Sequence, residues 1–488
     1  MVGSAMNITI LPDWFGKIAL AMLLSIATIA PSSGMSPFQP VEVYLRLVPV
    51  IDSNPLTQQN QCESFLDQFS HVPAPTCRTV HARQGILILR WSNAIPDQVA
   101  SHLQTLKLQG LVQWFEIKQS DLKLQSLDHG NAGVAVDPAF WSALKPSAPE
   151  SAEPWFVSDD IRKLRAWNSM MEVNGQVVVA VIDSGVNFSD PALAAIRWQN
   201  TRETAGNGID DDGNGYVDDV KGWDFVSEGY AQLFDDTTAP DNDPSDTLGH
   251  GTAVAQIMRA VVGSVLADRI RLMPLRVAYG LNGSGTVNPA ALAEAIYYAA
   301  DNGAHIVNIS LGGAQRYEVV ATAIRYALGK GAVVVAAAGN SGSAPLFPAN
   351  EPGVLSVGAL DRSGVVLASS ARGQGVDIFA SGLDMITPSG AANLPFQASG
   401  TSFAAPVVSA ALALLQAMHL GADANCQEQR QAVLNQLPFS GQLDIWVAFQ
   451  LHRSERDRQP TNTPDAWQKL ATRCGGPASS LSSLVRKP

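Results

Sequence analysis

Three residues of the chain could together supply a nucleophile, a base and an orienting acid. Ser402 lies at the start of an apolar run, where a serine can simply cap a helix. His250 lies between two glycines, and Asp183 follows an apolar stretch. A serine hydroxyl becomes a nucleophile when an imidazole takes its proton and an acceptor holds the other ring nitrogen. The three residue types predict nucleophilic acyl chemistry, with a capping or turn-forming role as the alternative for each of them.

The elements that must position these residues alternate along the chain. Apolar stretches typical of buried strands cover residues 177–182, 271–277, 304–309 and 332–337. Helical stretches lie between them, over residues 251–262, 290–302 and 317–328. This alternation predicts a parallel sheet with helices on both faces. Ligands bind beyond the carboxyl ends of the strands in such sheets, so the residues just after each strand are expected to carry the function.

Three segments carry a resemblance to a known family. They begin at Asp183, His250 and Gly400 and read DSGV, HGTAVA and GTSFAAP. Their order along the chain is that of subtilisin, and the chain resembles the subtilisin-like serine peptidases (subtilases) from about residue 155 to about residue 420. The resemblance implies a three-layer α/β fold and a serine endopeptidase acting on polypeptides. In it Ser402 attacks the scissile carbonyl, His250 carries the proton and Asp183 holds the imidazole.

The same resemblance implies an oxyanion site and a substrate-binding edge. Residues 336–341, AAAGNS, are similar to the family's oxyanion segment, in which the Asn340 side chain acts beside the Ser402 N–H. The implied contacts to an extended substrate and to its principal side-chain pocket are Ser310, Leu311, Gly312, Ala337, Ala338, Gly339 and Leu346. Phe347–Pro348 matches a pair that is often cis in the family, and the resemblance therefore predicts a cis bond here.

The chain departs from the family's pattern at three places. Gln256 replaces the usual Gly, Ser409-Ala410 replaces Ala-Gly, and residues 380–382 read ASG rather than APG. None of these changes removes a catalytic group. A catalytically silent subtilase-fold scaffold would be expected to lose a triad member or Asn340, and all four are present. A serine hydrolase acting on esters is a further alternative, because the same machinery cleaves esters.

The negative charge of the chain is concentrated in one segment. The formal net charge is −12, and residues 203–246 hold thirteen acids and one base, Lys221. Such a balance argues against a general nucleic-acid binder. Within the segment, the spacing of the acidic residues is typical of a calcium loop. The loop is not an EF-hand, because it lacks the acid that an EF-hand has at the twelfth position. The candidate ligands are Asp210, Asp212, Asn214, Tyr216 (through its carbonyl), Asp218 and Asp219. A solvated acidic loop without a metal is the alternative.

The amino-terminal residues predict an exported precursor. Lys17 precedes an apolar run over residues 18–30, which is too short to span a bilayer but suits a secretory signal. Residues 1–34 are therefore interpreted as a signal peptide, which predicts a secreted or periplasmic protein with no stable membrane span. An uncleaved anchor or a buried helix is the alternative.

The sequence also predicts the order of the domains along the chain. Residues 41–128 are expected to form a small α+β unit. Its element order resembles that of the family's ferredoxin-like inhibitory pro-domain, an intramolecular inhibitor, and a permanent accessory domain is the alternative. Residues 129–154, rich in Ala, Pro, Ser and Gly, are expected to be a linker with the maturation site. The catalytic domain is expected to follow over residues 155–420, and residues 421–488 are expected to be a partly disordered extension. The protein is expected to act as a monomer.

Four cysteines fall into two neighbouring pairs. In an exported chain they predict the disulfides Cys62–Cys77 and Cys426–Cys474. A four-thiol metal site is the lesser alternative, because no short Cys spacing or nearby His supports it.

Overall fold

The computed structural model describes residues 39–47, 65–66, 75–81, 86–94, 96–109, 111–118, 122–124, 165, 176–189, 191–226, 240–264, 266–281, 284–387 and 396–417. The predicted signal peptide 1–34, the linker 129–154 and the extension 421–488 lie outside the described residues. Cys77 is not a free thiol. Because Cys62, Cys426 and Cys474 also lie outside the described residues, both disulfide pairings stay predictions.

An amino-terminal unit consists of an antiparallel sheet and a helix. Its strands are β1 (Gln39–Leu47), β2 (Thr76–His81), β3 (Ile86–Ala94) and β4 (Val112–Ile117), in the spatial order β2-β3-β1-β4. Helix α1 covers Pro96–Leu108. Successive side chains of a strand point to opposite faces. Val43 and Leu45 therefore pack with Leu103 of α1, while Tyr44 between them packs against the main domain.

The main domain is organised around a seven-stranded sheet with the order β15-β14-β13-β11-β6-β8-β7. The strands are β6 (Val177–Asp183), β7 (Trp223–Asp224), β8 (Ile270–Arg276), β11 (Ile306–Ile309), β13 (Val333–Ala337), β14 (Leu355–Leu360) and β15 (Ile378–Ser381). All neighbouring strands are parallel. The apolar runs seen in the sequence are these strands, because a parallel sheet is covered on both faces.

Helices cover both faces of this sheet. They are α2 (Pro191–Ala194), α3 (His250–Val262), α4 (Pro289–Asp301), α5 (Glu318–Gly329) and α6 (Thr401–Ala417). One core joins α3 and α6 to the face of β6 that carries Val179 and Val181. The other joins α4 and α5 to the face that carries Ala180 and Ile182. The predicted three-layer α/β fold is confirmed.

Two small sheets complete the described part. Strands β16 (Met385–Thr387) and β17 (Phe396–Ala398) form an antiparallel pair. The other sheet has the order β12-β5-β10-β9, with β9 (Ala278–Leu281), β10 (Ser284–Val287) and β12 (Leu311–Gly312) from the main domain. Its strand β5 (Leu122–Leu124) follows the amino-terminal unit in sequence and lies antiparallel between β10 and β12.

No helix within the described ranges combines the length and the apolar character that crossing a membrane requires.

Candidate active site

Neighbouring strands end at the same edge of the main sheet and deliver the candidate residues there. Asp183 is the last residue of β6, Ser310 follows β11, and β13 ends three residues before Asn340. Since these three strands are adjacent and parallel, their carboxyl ends lie together. Helices α3 and α6 begin at this edge with His250 and Ser402 in their first turns.

The acid and the base are in direct contact. His250 Nδ1 lies 2.7 Å from Asp183 Oδ1, and the same oxygen accepts the Ser184 N–H over 2.7 Å. Both side chains are buried. Among the described residues, Asp183 Oδ2 and His250 Nε2 have no hydrogen-bond partner. The imidazole is therefore held at Nδ1, which leaves Nε2 as the nitrogen that can take a proton.

This contact requires glycine on both segments. A Cβ on Gly251 would lie 2.1 Å from Gly185 O and 3.0 Å from Asp183 Cβ. A Cβ on Gly185, whose φ is +97°, would lie 2.5 Å from Pro244 O. The two glycines of the DSG and HGT motifs thus let the start of α3 touch the end of β6.

The candidate nucleophile is paired with Ser310. Ser402 Oγ donates to Ser310 O over 2.9 Å, and Ser310 Oγ donates to Ser402 O over 2.9 Å. The ring of Phe403, the next residue, lies 5.1 Å from the His250 ring between centroids. For Ser402 to pass its proton to His250, its hydroxyl must leave the Ser310 carbonyl.

A buried chain of hydrogen bonds continues behind Ser310. Asn308 Nδ2 donates to Ser310 Oγ over 3.0 Å, and Ser409 Oγ donates to Asn308 Oδ1 over 2.8 Å. Ser409 is one of the departures from the family's pattern. Its hydroxyl joins α6 to β11 and fixes the amide that holds Ser310.

The candidate oxyanion segment is ordered by a residue that the sequence did not single out. Thr401 N and Thr401 Oγ1 both donate to Asn340 Oδ1, over 3.0 and 3.2 Å. Gly339 N donates to Thr401 Oγ1 over 3.1 Å. These contacts fix the amide plane of Asn340 beside the start of α6, where the Ser402 N–H belongs to the first helical turn. The only sequence signal for Thr401 was its place before Ser402.

The predicted substrate-binding residues lie around this edge. Leu311 and Gly312 form β12 and pair with β5, while Ala337 ends β13. Leu346 N donates to Ala338 O over 2.9 Å, and the Leu346 side chain packs over Gly339. The Phe347–Pro348 bond is cis, as predicted.

The acidic loop does not bring all six predicted metal ligands together. Asp210 accepts the N–H groups of Asn214 and Gly215, and Asp218 accepts those of Asn207 and Gly208. These carboxylates therefore stabilise the conformation of the loop by accepting hydrogen bonds from its backbone.

Asn214 and Tyr216 are also engaged within the loop region. Asn214 Nδ2 donates to Asp219 Oδ2 over 2.9 Å. The Tyr216 ring packs on Trp223, Phe225 and Tyr298.

A tighter acidic cluster forms beside the loop. Oxygens of Glu203, Asp212 and Asp219 lie within 4.8 Å of one another. Burial, followed by the charges of Asp219 and Asp212, raises the pKa of Glu203. Burial also raises the pKa of Asp219. Glu203 was missed because it precedes Asp212 by nine residues and lies outside the alternating pattern.

Comparisons with known proteins find a family, relatives and a solved structure that are similar to this chain. A sequence model described as the subtilase family matches residues 174–457. The chain is 36% identical over 256 residues to a thermophilic serine proteinase of Bacillus sp. (strain AK1), covering 51% of this chain and 54% of that relative. It is 32% identical over 276 residues to thermitase of Thermoactinomyces vulgaris, covering 55% of this chain and 85% of that relative. The chain thus spans about half the length of the Bacillus proteinase.

A solved structure shows the same fold. The crystal structure of the epidermin leader peptide processing serine protease from Staphylococcus aureus superimposes with a TM-score of 0.54, covering 86% of this chain and all of that one at 17% identity. At that identity the likeness concerns the fold alone.

We predict that Gly251→Ala destabilises the fold by about 1–3 kcal/mol, because the new methyl group overlaps Gly185 O. It should slow labelling of Ser402 by a fluorophosphonate by about 10²-fold, since His250 is displaced. Thermal unfolding and labelling kinetics measure the two effects. Gly329→Ala, whose Cβ would meet nothing within 4 Å, is the control. Labelling of Gly251→Ala at the wild-type rate would contradict the prediction.

Proposed function

The chain belongs to the subtilase family, and on that premise we propose that it is a serine endopeptidase, exported and made as a zymogen. The observation that carries the proposal is the 2.7 Å contact between His250 Nδ1 and Asp183 Oδ1 at the sheet edge where α6 presents Ser402. Its substrates are polypeptides bound in extended form along β12. This geometry favours peptide hydrolysis over a silent scaffold, because Asp183 holds His250 at Nδ1 and leaves Nε2 without a hydrogen-bond partner in the described part of the chain.

The proposed reaction follows from the roles of these groups. The Ser402 hydroxyl leaves Ser310 O, passes its proton to His250 Nε2 and attacks the scissile carbonyl, while Asp183 stabilises the imidazolium. Asn340 and the Ser402 N–H stabilise the oxyanion. His250 then protonates the leaving amine, and water hydrolyses the acyl-enzyme by the same steps.

Removing the nucleophile and one oxyanion donor should have different effects. Ser402→Ala is expected to lower kcat for a peptide substrate by about 10⁶-fold, as in subtilisin. Asn340→Ala is expected to lower kcat by about 10²–10³-fold, also by analogy with subtilisin, with little change in KM. Asn350→Ala is the matched control, since Asn350 Nδ2 donates to Pro345 O over 3.2 Å and has no assigned role in the reaction. Unchanged turnover in Ser402→Ala would refute the proposed function.

The contacts of the amino-terminal unit support its proposed role as an inhibitory pro-domain. Glu116 of β4 accepts the N–H groups of Glu318 and Val319, over 2.7 Å each, at the start of α5. On β1, Glu42 accepts from Asn288, the N-cap residue of α4, over 3.2 Å. Carboxylates are favourable at helix N-termini, where backbone N–H groups lack helical partners. The unit therefore binds the starts of two helices of the main domain.

Strand β5 extends this contact toward the nucleophile. Leu124 is opposite Leu311 and Lys123 is opposite Gly312. Since the strands are antiparallel, the chain leaves Leu124 in the direction of Ser310, whose carbonyl accepts from Ser402 Oγ. Strand β5 thus occupies the edge that a polypeptide substrate would use, which is the behaviour expected of an intramolecular inhibitor.

Mass spectrometry of the exported protein tests zymogen processing. We expect the wild-type protein to lose its amino-terminal unit by a cut within the linker at residues 129–154, with Ser402→Ala remaining uncut. A cut within a few residues of Leu124, ahead of that linker, would instead indicate that β5 leads the cleaved bond directly to Ser402. The same cut in Ser402→Ala would show that another protease performs it, and an intact wild-type chain would favour a permanent accessory domain.

The acidic cluster supports a structural calcium ion as part of the proposal. Carboxylate oxygens are the ligands that calcium prefers, and three of them converge at Glu203, Asp212 and Asp219. Arg202 also contacts Asp212, over 2.9 Å, so part of the charge is already compensated. A bound cation would relieve the remaining repulsion and fix the loop to the body of the domain through Asp219.

Removing calcium should lower the melting temperature. At a hundredfold excess over Kd, binding contributes about 2.7 kcal/mol, which corresponds to about 5 °C or more for a domain of this size. Glu203→Gln should abolish the difference between calcium and chelator in thermal unfolding. Asp361→Asn, in an exposed turn, should preserve it. If wild type melts at the same temperature with and without calcium, the site is a metal-free acidic cluster.

A further inference from the structure

A buried carboxylate outside the triad lies in the loop that leads into α3. Asp246 Oδ1 accepts from Ser184 Oγ, Leu248 N and Gly249 N, over 2.8, 2.9 and 2.8 Å. Its Oδ2 accepts from Thr252 N and Thr252 Oγ1, over 2.8 and 2.5 Å. Five donors converge on this one side chain. Nothing in the catalytic roles assigned above uses it.

The donors belong to the two segments that carry the acid and the base. Ser184 follows Asp183, and its Oγ also accepts the Gly251 N–H over 2.9 Å. Thr252 lies in the first turn of α3, and its Oγ1 also accepts the Asn187 N–H over 3.0 Å. The two hydroxyls therefore bridge the loop after β6 and the start of α3, with Asp246 bound to both.

Asp246 also replaces the missing cap of α3. Gly249, at the N-cap position with a φ of 85°, offers no side-chain cap. Asp246 instead accepts the N–H of Thr252, the third helical residue, which is the bond that an N-cap side chain normally makes. A carboxylate is favourable there because the helix N-terminus carries partial positive charge.

From these contacts we propose that Asp246 is a positioning residue for His250. It fixes the first turn of α3 against the Ser184 segment and so sets the imidazole on Asp183. The inference rests on the proposed peptidase function but concerns a residue that does not touch substrate. A purely structural role would stabilise the fold without affecting turnover by folded molecules.

The test compares Asp246→Asn with wild type in the mature enzyme. Asparagine keeps the size but presents an amide N–H₂ to donors, so at least one buried donor loses its acceptor. We expect kcat for a peptide substrate to fall by about 10–100-fold with KM within about twofold, since the imidazole is displaced. The rate of Ser402 labelling by a fluorophosphonate should fall by the same factor as kcat/KM.

A second variant and a control keep the test decisive. Ser184→Ala removes one bridge only and should lower kcat by a smaller factor, non-additively with Asp246→Asn because the two residues share a contact. Asp377→Asn removes a carboxylate that accepts Ser356 N near the amino end of β14, at the opposite edge of the sheet. That control should change the melting temperature but not kcat.

The outcomes separate this inference from the proposed function. The inference is wrong if Asp246→Asn has a lower melting temperature but the same kcat and the same labelling rate as wild type. If Asp246→Asn does not fold, the inference is wrong when Ser184→Ala keeps the wild-type kcat. An inactive wild type would overturn the proposed function instead. In that case the downfield proton resonance of His250 Nδ1–H decides: a shift in Asp246→Asn supports positioning, and no shift refutes it.

Discussion

The hydrogen bond between Asp183 and His250 forms only because two main chains touch. Gly251 approaches Gly185 so closely that any side chain there would overlap a carbonyl oxygen. The approach joins the carboxyl end of the central strand β6 to the first turn of α3, and with it two layers of the domain. A parallel sheet can present an acid at its edge by topology alone. Placing an imidazole on that acid at 2.7 Å requires the additional contact between the two backbones.

The nucleophile side is held by a different kind of constraint. There Ser402 of α6 and Ser310, the residue after β11, exchange two hydrogen bonds, in which the hydroxyl of each residue donates to the carbonyl of the other. Asn308 and Ser409 continue this network into the buried interface between α6 and the sheet. Buried polar groups are stabilising only when their partners are all present. The site is therefore supported by close packing on the side of the base and by a satisfied polar network on the side of the nucleophile.

The layers of the fold and the residues of the candidate triad could be predicted from the sequence, because both have periodic or contiguous sequence patterns. Asp183 and Asn340 lie in short motifs at or just after the ends of apolar strands, and His250 and Ser402 lie in short motifs at the starts of apolar helices. Residues that act through tertiary contacts left no such pattern. Asp246 looked like one more acid in an acidic stretch, and Glu203 lay outside the loop whose spacing suggested metal binding. Strand β5 has three residues, and its conformation depends on two edges that lie more than a hundred residues away in sequence.

The position of β5 has a consequence for how inhibition would depend on concentration. While the chain is intact, the strand is tethered to its place between β10 and β12, and its effective concentration is set by the connecting segment rather than by the amount of protein. After the proposed cut, the amino-terminal unit becomes a separate ligand that obeys mass action. The contacts of Glu116 and Glu42 with the helix starts would then determine its Kd. Dilution after export would release the enzyme, whereas a crowded compartment would keep it inhibited.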